Sequence, residues 1–233
     1  GLGLGTKTFD LLPDHWKTYE AEVTFGVQTD TEDIWGNVLK THDVSKTPEE
    51  IIQAICSFGG TYDQIPPMYS AKKIDGKKLY QLAREGKIVE RKAVPVTLKD
   101  IQVLSVKDNK ARFIVTCSAG TYIRTLCVDI GKKLGCEACM SSLTRVMAGG
   151  FSKEQALTLE KIKELADKNE LESRLISIDT ALGHFPKVIA SNEFEKQLKN
   201  GNAIGSNAVL GLQEASICLL YTSPSPRDLS TSR

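Results

Sequence analysis

Tyr19, Ala21, Val23 and Phe25 alternate with Glu20, Glu22 and Thr24, a period of two that suits a strand with one face buried and the other in water. Three further runs, 94–98, 101–106 and 111–118, are rich in β-branched residues, and Asp108-Asn109 supplies a hairpin turn between the last two. Helical signals fall between these runs. Thr47-Pro48-Glu49-Glu50 offers an N-cap hydroxyl, a proline at the first helical position and a glutamate at the third. The stripe Ile51, Ile52, Ile55 and Phe58 follows and stops at Gly59-Gly60. Leu79, Leu82 and Ala83 share one face of a helix expected over 77–85, with Gly86 as its cap. Ile123, Leu126, Cys127 and Ile130 recur at helical spacing, as do Leu159, Ile162, Leu165 and Ala166. Residues 37–40 and 143–148 read as additional strands. Strands and helices are intermixed without strict alternation, which predicts an α+β fold with a mixed, largely antiparallel sheet flanked by helices.

The 233 residues suffice for one large domain, or one domain and a small second one. With 41% hydrophobic and 25% charged residues the chain is neither disordered overall nor membrane-embedded. It has no apolar run of about 18 residues and no secretory pattern at its N-terminus, so a cytoplasmic location is expected. The net charge of +1 conceals a local stripe. Between residues 72 and 92, Lys72, Lys73, Lys77, Lys78, Arg84, Lys87, Arg91 and Lys92 face only Asp75, Glu85 and Glu90. On charge alone a solvated surface is the favoured reading. The cysteines, Cys56, Cys117, Cys127, Cys136, Cys139 and Cys218, are scattered. Cys136 and Cys139 form one C-x-x-C without the second pair that zinc needs, so two ordinary thiols are expected, with no metal and no cofactor. Past 216 the sequence is rich in Ser, Thr and Pro and reads as a disordered or foreign tail.

Two segments carry more chemistry than a core requires. Cys117-Ser118-Ala119-Gly120-Thr121-Tyr122-Ile123-Arg124-Thr125-Leu126 takes a strand through glycine into a helix. The first turn of such a helix offers N–H groups, and Tyr122 and Arg124 stand outside its apolar stripe. An arginine there can pair with a carboxylate or a phosphate. The second segment, 66–86, joins a Pro-Pro entry and Tyr69 to a basic stretch, a combination suited to an RNA backbone. Tyr19 with the acidic turn 29–33, and Ser142-Leu143-Thr144-Arg145 before Gly149-Gly150, complete the set.

With these segments in view the sequence resembles the TruB-type tRNA pseudouridine synthases, which act on uridine-55. The motifs K-x-Y-E-A-E-V-T-F-G-V-x-T-D-T-x-D-x-x-G, P-P-M-Y-S-A-x-K-x-x-G-K-K-L-Y-x-x-A-R-x-G, C-S-x-G-T-Y-I-R-T-L and S-L-x-R occur in the family's order, and the likeness runs from about residue 1 to residue 205. The resemblance implies a pseudouridine synthase fold over 1–180 and the start of a small PUA-like RNA-binding domain over 181–215, which leaves 216–233 as the disordered or non-native tail. It implies isomerisation of a T-loop uridine in tRNA. The T arm would be the partner, with no membrane, no cofactor and no obligate protein partner, and the chain a monomer.

Residue by residue, the resemblance makes Tyr19 the aromatic that stacks on the target uracil and Arg124 the ion-pair partner of a catalytic aspartate. It makes Tyr122 a pocket residue near the proton transfer and Leu143 an apolar wall. Core packing competes for Leu143 and Tyr122. Tyr69, Lys73, Lys77, Lys78 and Arg84 would bind RNA. The family's nucleophile belongs to a G-T-L-D-P motif that these 233 residues do not contain. Asp10 and Asp14 follow Thr6-Lys7 and have the wrong neighbours. The expectation is therefore a chain lacking its N-terminal part and inactive alone. The alternative is a tRNA-binding or RNA-chaperone protein without a nucleophile.

Overall fold

The computed structural model describes residues 2–12, 16–74, 76–185, 189–200, 202 and 209–210. Asp14, Cys218, the tail 216–233, the junction at 186–188 and most of the expected C-terminal segment after 200 lie outside the described residues.

The period-two pattern forms strand β1 (Lys17–Phe25), and Gly26 turns the chain into a two-stranded ribbon of β2 (Val27–Thr29) and β3 (Val38–Thr41). Helix α1 (Pro48–Cys56) starts on a complete capping box. The Thr47 N–H donates to the Glu50 carboxylate over 2.8 Å, and the Thr47 hydroxyl accepts from the Glu50 N–H over 3.2 Å. Ile51, Ala54 and Ile55 are its buried face. Ile52, expected in that stripe, is exposed, because helical spacing turns it toward water.

The next elements are β4 (Gly60–Gln64), the short hairpin β5 (Lys73–Ile74) and β6 (Lys77–Lys78), and helix α2 (Leu79–Arg84). The helix expected from residue 77 thus begins two residues later, since Lys77 and Lys78 pair with Ile74 and Lys73. Strand β7 (Val94–Lys107) merges the two runs at 94–98 and 101–106, with an irregularity at Lys99/Gln102 where Asp100 adopts a positive φ of 53°. Strand β8 (Lys110–Cys117), helix α3 (Ile123–Leu134), β9 (Ala138–Ala148) and β10 (Phe151–Ser152) complete this part. Gly135, left-handed at φ 72°, stops α3, a conformation that a side chain would strain.

Six strands form one antiparallel sheet in the order β10-β9-β1-β8-β7-β4. One face carries Tyr19, Ala21, Val23 and Phe25 of β1 and Ala111, Phe113 and Val115 of β8, packed with Ile51 and Ile55 of α1 and Ile123, Leu126, Cys127 and Ile130 of α3. The other face is polar: the Thr18 and Thr116 hydroxyls bond at 2.9 Å, Lys110 pairs with Glu22 at 3.2 Å, and Arg112 pairs with Glu20. One packed face and one wet face is the usual economy of an antiparallel sheet.

The chain divides into two compact units, Asp14–Ala156 and a second made of Gly1–Pro13 with Leu157–Arg233. The second unit contains α4 (Leu159–Asp167), capped by the Thr158 hydroxyl, then α5 (Ile178–Ala181), and a pairing of β11 (Ile189–Ala190) with β12 (Val209–Leu210) on either side of α6 (Glu195–Lys199). No helix among the described residues is long and apolar enough to cross a membrane.

Candidate active site

Helix α3 delivers the first cluster. Gly120, at φ 83°, turns the chain out of β8, and Tyr122 becomes the N-cap residue. Its N–H was expected to be open, but it donates to Gln64 Oε1 over 2.8 Å, and its carbonyl accepts from Gln64 Nε2 over 3.1 Å. Gln64 is fully buried at the end of β4 and also donates to the Tyr62 hydroxyl at 2.6 Å. A buried amide satisfied on both ends fixes where α3 starts. Burial pushes the Tyr62 hydroxyl well above its ordinary range, so it stays a neutral structural group.

Arg124, in the first turn of α3, gathers three segments of chain. Its Nη1 donates to the Thr31 carbonyl at 2.9 Å and pairs with Asp33 Oδ2 at 3.3 Å, while Nη2 donates to the Tyr69 carbonyl at 2.6 Å. The side chains of Arg124 and Asp33 are only 22% and 17% exposed, so the pair is shielded enough for its geometry to matter. Nη1 is fully used. The Nε–H and one N–H of Nη2 make no hydrogen bond among the described residues, leaving donors for a further carboxylate.

The acidic turn is shaped for this contact. Glu32 has a positive φ of 66°, which swings the Thr31 carbonyl and the Asp33 carboxylate toward one guanidinium. Its own carboxylate accepts the Thr125 hydroxyl at 2.6 Å, and its carbonyl accepts the Met140 N–H at 3.0 Å. Burial raises the Glu32 carboxyl above its ordinary value of 4.5, against the lowering effect of Thr125 and Arg124. The native chain therefore holds this proton more tightly than the unfolded chain. Stability from this group is full below the ordinary carboxylate range and is lost as pH rises through the raised value. Glu32→Gln keeps an oxygen for Thr125 but cannot ionise. Urea midpoints at about pH 4 and about pH 8 should show the variant gaining on the parent chain toward the higher pH; a constant difference would contradict this.

Tyr19 belongs to a second cluster. It lies 9% exposed at the centre of the sheet, paired with Val115 on one side and Arg145 on the other. Arg145 Nε donates to the Tyr19 hydroxyl at 3.2 Å, and the guanidinium carbon sits 5.3 Å from the ring centroid. A base stacking on Tyr19 must use the remaining ring surface or displace Arg145. Leu143 lies opposite Ala21, on the Tyr19 face of the sheet, and is 41% exposed. It is therefore not spent on core packing. Strand β9 links the clusters: Met140 holds the acidic turn by two backbone hydrogen bonds, to Glu32 and Ile34, and Arg145 holds Tyr19. Ile123, beside Arg124, shares a core with Tyr19.

The residues expected to touch RNA follow the Tyr69 loop. Tyr69 is half-buried, and Lys73, Lys77 and Arg84 are exposed. In the β5–β6 hairpin Lys73 stands directly opposite Lys78, a like-charge pairing that costs stability unless an anion intervenes. Lys78 and Arg84 both lie over the Tyr80 ring, at 5.6 and 5.4 Å. Tyr80, Gln64 and Arg145 are the functional candidates that residue-type reasoning did not single out by role. Arg145 and Tyr80 each had a signal, their places in S-L-x-R and K-K-L-Y; Gln64 had none. Cys127 and Cys139 are buried free thiols, and no group of three or more metal-ligating side chains occurs among the described residues.

Relatives named tRNA pseudouridine synthase B include one from Alkaliphilus oremlandii, 46% identical over 209 residues, which span 90% of this chain and 69% of the relative. Another, from Clostridium novyi, is 44% identical, covering 90% of this chain and 71% of its own length. Among solved structures, a chain in the crystal structure of a Cbf5-Nop10-Gar1 complex superposes with a TM-score of 0.65 at 22% identity, over 90% of this chain and 56% of that one, a likeness of fold. The family described as tRNA pseudouridylate synthase B C-terminal domain matches residues 124–183, and that described as TruB family pseudouridylate synthase (N terminal domain) matches residues 1–123. With both family descriptions in register and relatives above 40% identity, this chain belongs to the TruB family of pseudouridylate synthases.

Proposed function

We propose that this chain supplies the base-binding pocket and the carboxylate-orienting arginine for converting a T-loop uridine of tRNA, at position 55, into pseudouridine. It does so as a cytoplasmic monomer. The observation that carries the reading is Arg124, held by three acceptors with its Nε–H and one Nη2 N–H still available. The reaction breaks the bond from C1′ to N1, turns the uracil and forms a bond from C1′ to C5; the C5 proton leaves and N1 takes one up. A base in a stack cannot undergo this, so the uridine is everted. The Tyr19 ring stacks on it, Leu143 walls it, and Tyr122 lies near the C5 proton. Arg124 keeps the attacking carboxylate ionised, because a neighbouring cation favours the charged form.

No G-T-L-D-P motif occurs within the 233 residues; on this reading the attacking carboxylate comes from outside them and the chain alone does not turn over. The lysine hairpin with Arg84 and Tyr69 takes RNA phosphates, which relieves the Lys73–Lys78 repulsion. The test is tritium release from tRNA carrying 5-tritiated uridine. The chain extended at its N-terminus by a segment bearing the family's G-T-L-D-P motif should release tritium, and the chain alone should not. If the extended chain binds tRNA and releases none, a non-catalytic RNA-binding role replaces this one.

A further inference from the structure

Trp35 is 89% exposed. A tryptophan in water forfeits the largest apolar burial any side chain can make, so an indole held out in solvent needs a reason. Its backbone is not loose. The Asp30 carboxylate accepts both the Asn37 N–H and the Asn37 side-chain amide at 2.9 Å, and the Asp30 N–H donates to the Asn37 carbonyl at 3.1 Å. The Asp33 carbonyl accepts the Thr29 hydroxyl at 2.7 Å and the Gly36 N–H at 3.1 Å. At Gly36 a side chain would collide with the Thr31 hydroxyl and the Asp30 carboxylate, so the main chain beside the indole is packed tight. The ring itself meets no aromatic or cationic partner among the described residues.

The turn that fixes Trp35 also faces Arg124. Asp33 Oδ1 accepts the Trp35 N–H at 3.2 Å, and Asp33 Oδ2 pairs with Arg124 at 3.3 Å. One carboxylate thus ties the indole's backbone to the guanidinium assigned to the attacking carboxylate. Arg124 in turn holds the Tyr69 carbonyl, and the chain runs from there into Lys72, Lys73, Lys77 and Lys78.

We infer that Trp35 is a second base-stacking platform, which takes an unpaired nucleotide next to the everted uridine. The inference rests on the RNA-modifying reading above. Everting one nucleotide unstacks its neighbours, and an indole on a rigid turn can cover the exposed face of one at little conformational cost. A protein partner or a second copy would instead use the apolar rim of the same region, where Ile34, Val38 and Leu39 are also exposed. RNA is favoured because Trp35 is anchored to Asp33 and through it to Arg124, which also holds the start of the lysine-rich loop.

The experiment uses the 233-residue chain and a fluorescently labelled T-arm stem-loop RNA. Trp35→Ala should weaken binding by about 5- to 150-fold, the loss expected for one stacked base, with an unchanged salt slope because no phosphate contact is removed. Trp35→Phe should recover most of it. In a Trp16→Phe background Trp35 is the one remaining tryptophan, and its emission should be quenched by the stem-loop but not by a fully paired duplex. Wild-type binding that Trp35→Ala leaves unchanged overturns this inference alone. A stem-loop that the wild type does not bind overturns the RNA reading and this inference together. A dimer seen by sedimentation and dissolved by Trp35→Ala would assign the indole to a second copy and refute the stacking role.

Discussion

Arg124→Ala should lower tritium release by the G-T-L-D-P-extended chain at least about a hundredfold, as loss of a preorganised electrostatic group does in other active sites. The substitution removes the contacts to Thr31, Asp33 and Tyr69 at once and leaves the Asp33 carboxylate partly buried without its cation. Stability should fall too, by about 1–3 kcal/mol, less than for a fully buried pair because water still reaches both side chains. Arg124→Lys should not restore the rate. An ammonium is a point charge and cannot meet three acceptors while keeping donors for a fourth. Single-turnover rates beside urea midpoints separate the two effects. Activity near the parental level in Arg124→Ala would contradict the assigned role.

Phe113→Ala should cost about 3–5 kcal/mol of stability. Phe113 is fully buried on β8, with Ala21 opposite it on β1 and Val103 opposite on β7, beneath α1 and α3. The small Ala21 opposite cannot refill the cavity, and the spread of such costs depends on how far the site collapses. Against the 5–15 kcal/mol that typically holds a domain together, this is a large share. Urea unfolding followed by circular dichroism measures it, and a loss under about 1 kcal/mol would refute the placement of Phe113 in the core.

Much of the frame is legible in local sequence because its signals are local. The capping box at Thr47 and the period of two in β1 each arise from neighbours along the chain, and each stands where it was read. Strand β4 was missed because only Gln64 of its five residues is buried and its place depends on β7, some 30 residues on. Strand β7 looked like two strands because Lys99-Asp100 interrupts its apolar pattern, where the ladder in fact shifts register. Lys77 and Lys78 suited a helix by composition, and only their pairing with Lys73 and Ile74 makes them a strand.

The site divides the same way. Arg124 stands out as a cation in a helix's first turn, but two of its three partners are backbone carbonyls, which carry no residue-type signature. The hold of Arg145 on Tyr19 depends on cross-strand register and a bulge between Thr18 and Tyr19, which periodicity does not fix. Trp35 was visible as a letter. Its exposure and its bond to Asp33 exist only in the fold.

The central claim is that a single everted uracil lies against Tyr19, and fluorine NMR of a T-arm stem-loop with 5-fluorouridine at the target position tests it most directly. Saturation with the 233-residue chain should shift the fluorine resonance by the Tyr19 ring current, and Tyr19→Leu should abolish most of that shift while RNA stays bound. A bound RNA whose fluorine signal does not move, or moves equally with Tyr19→Leu, would contradict the claim.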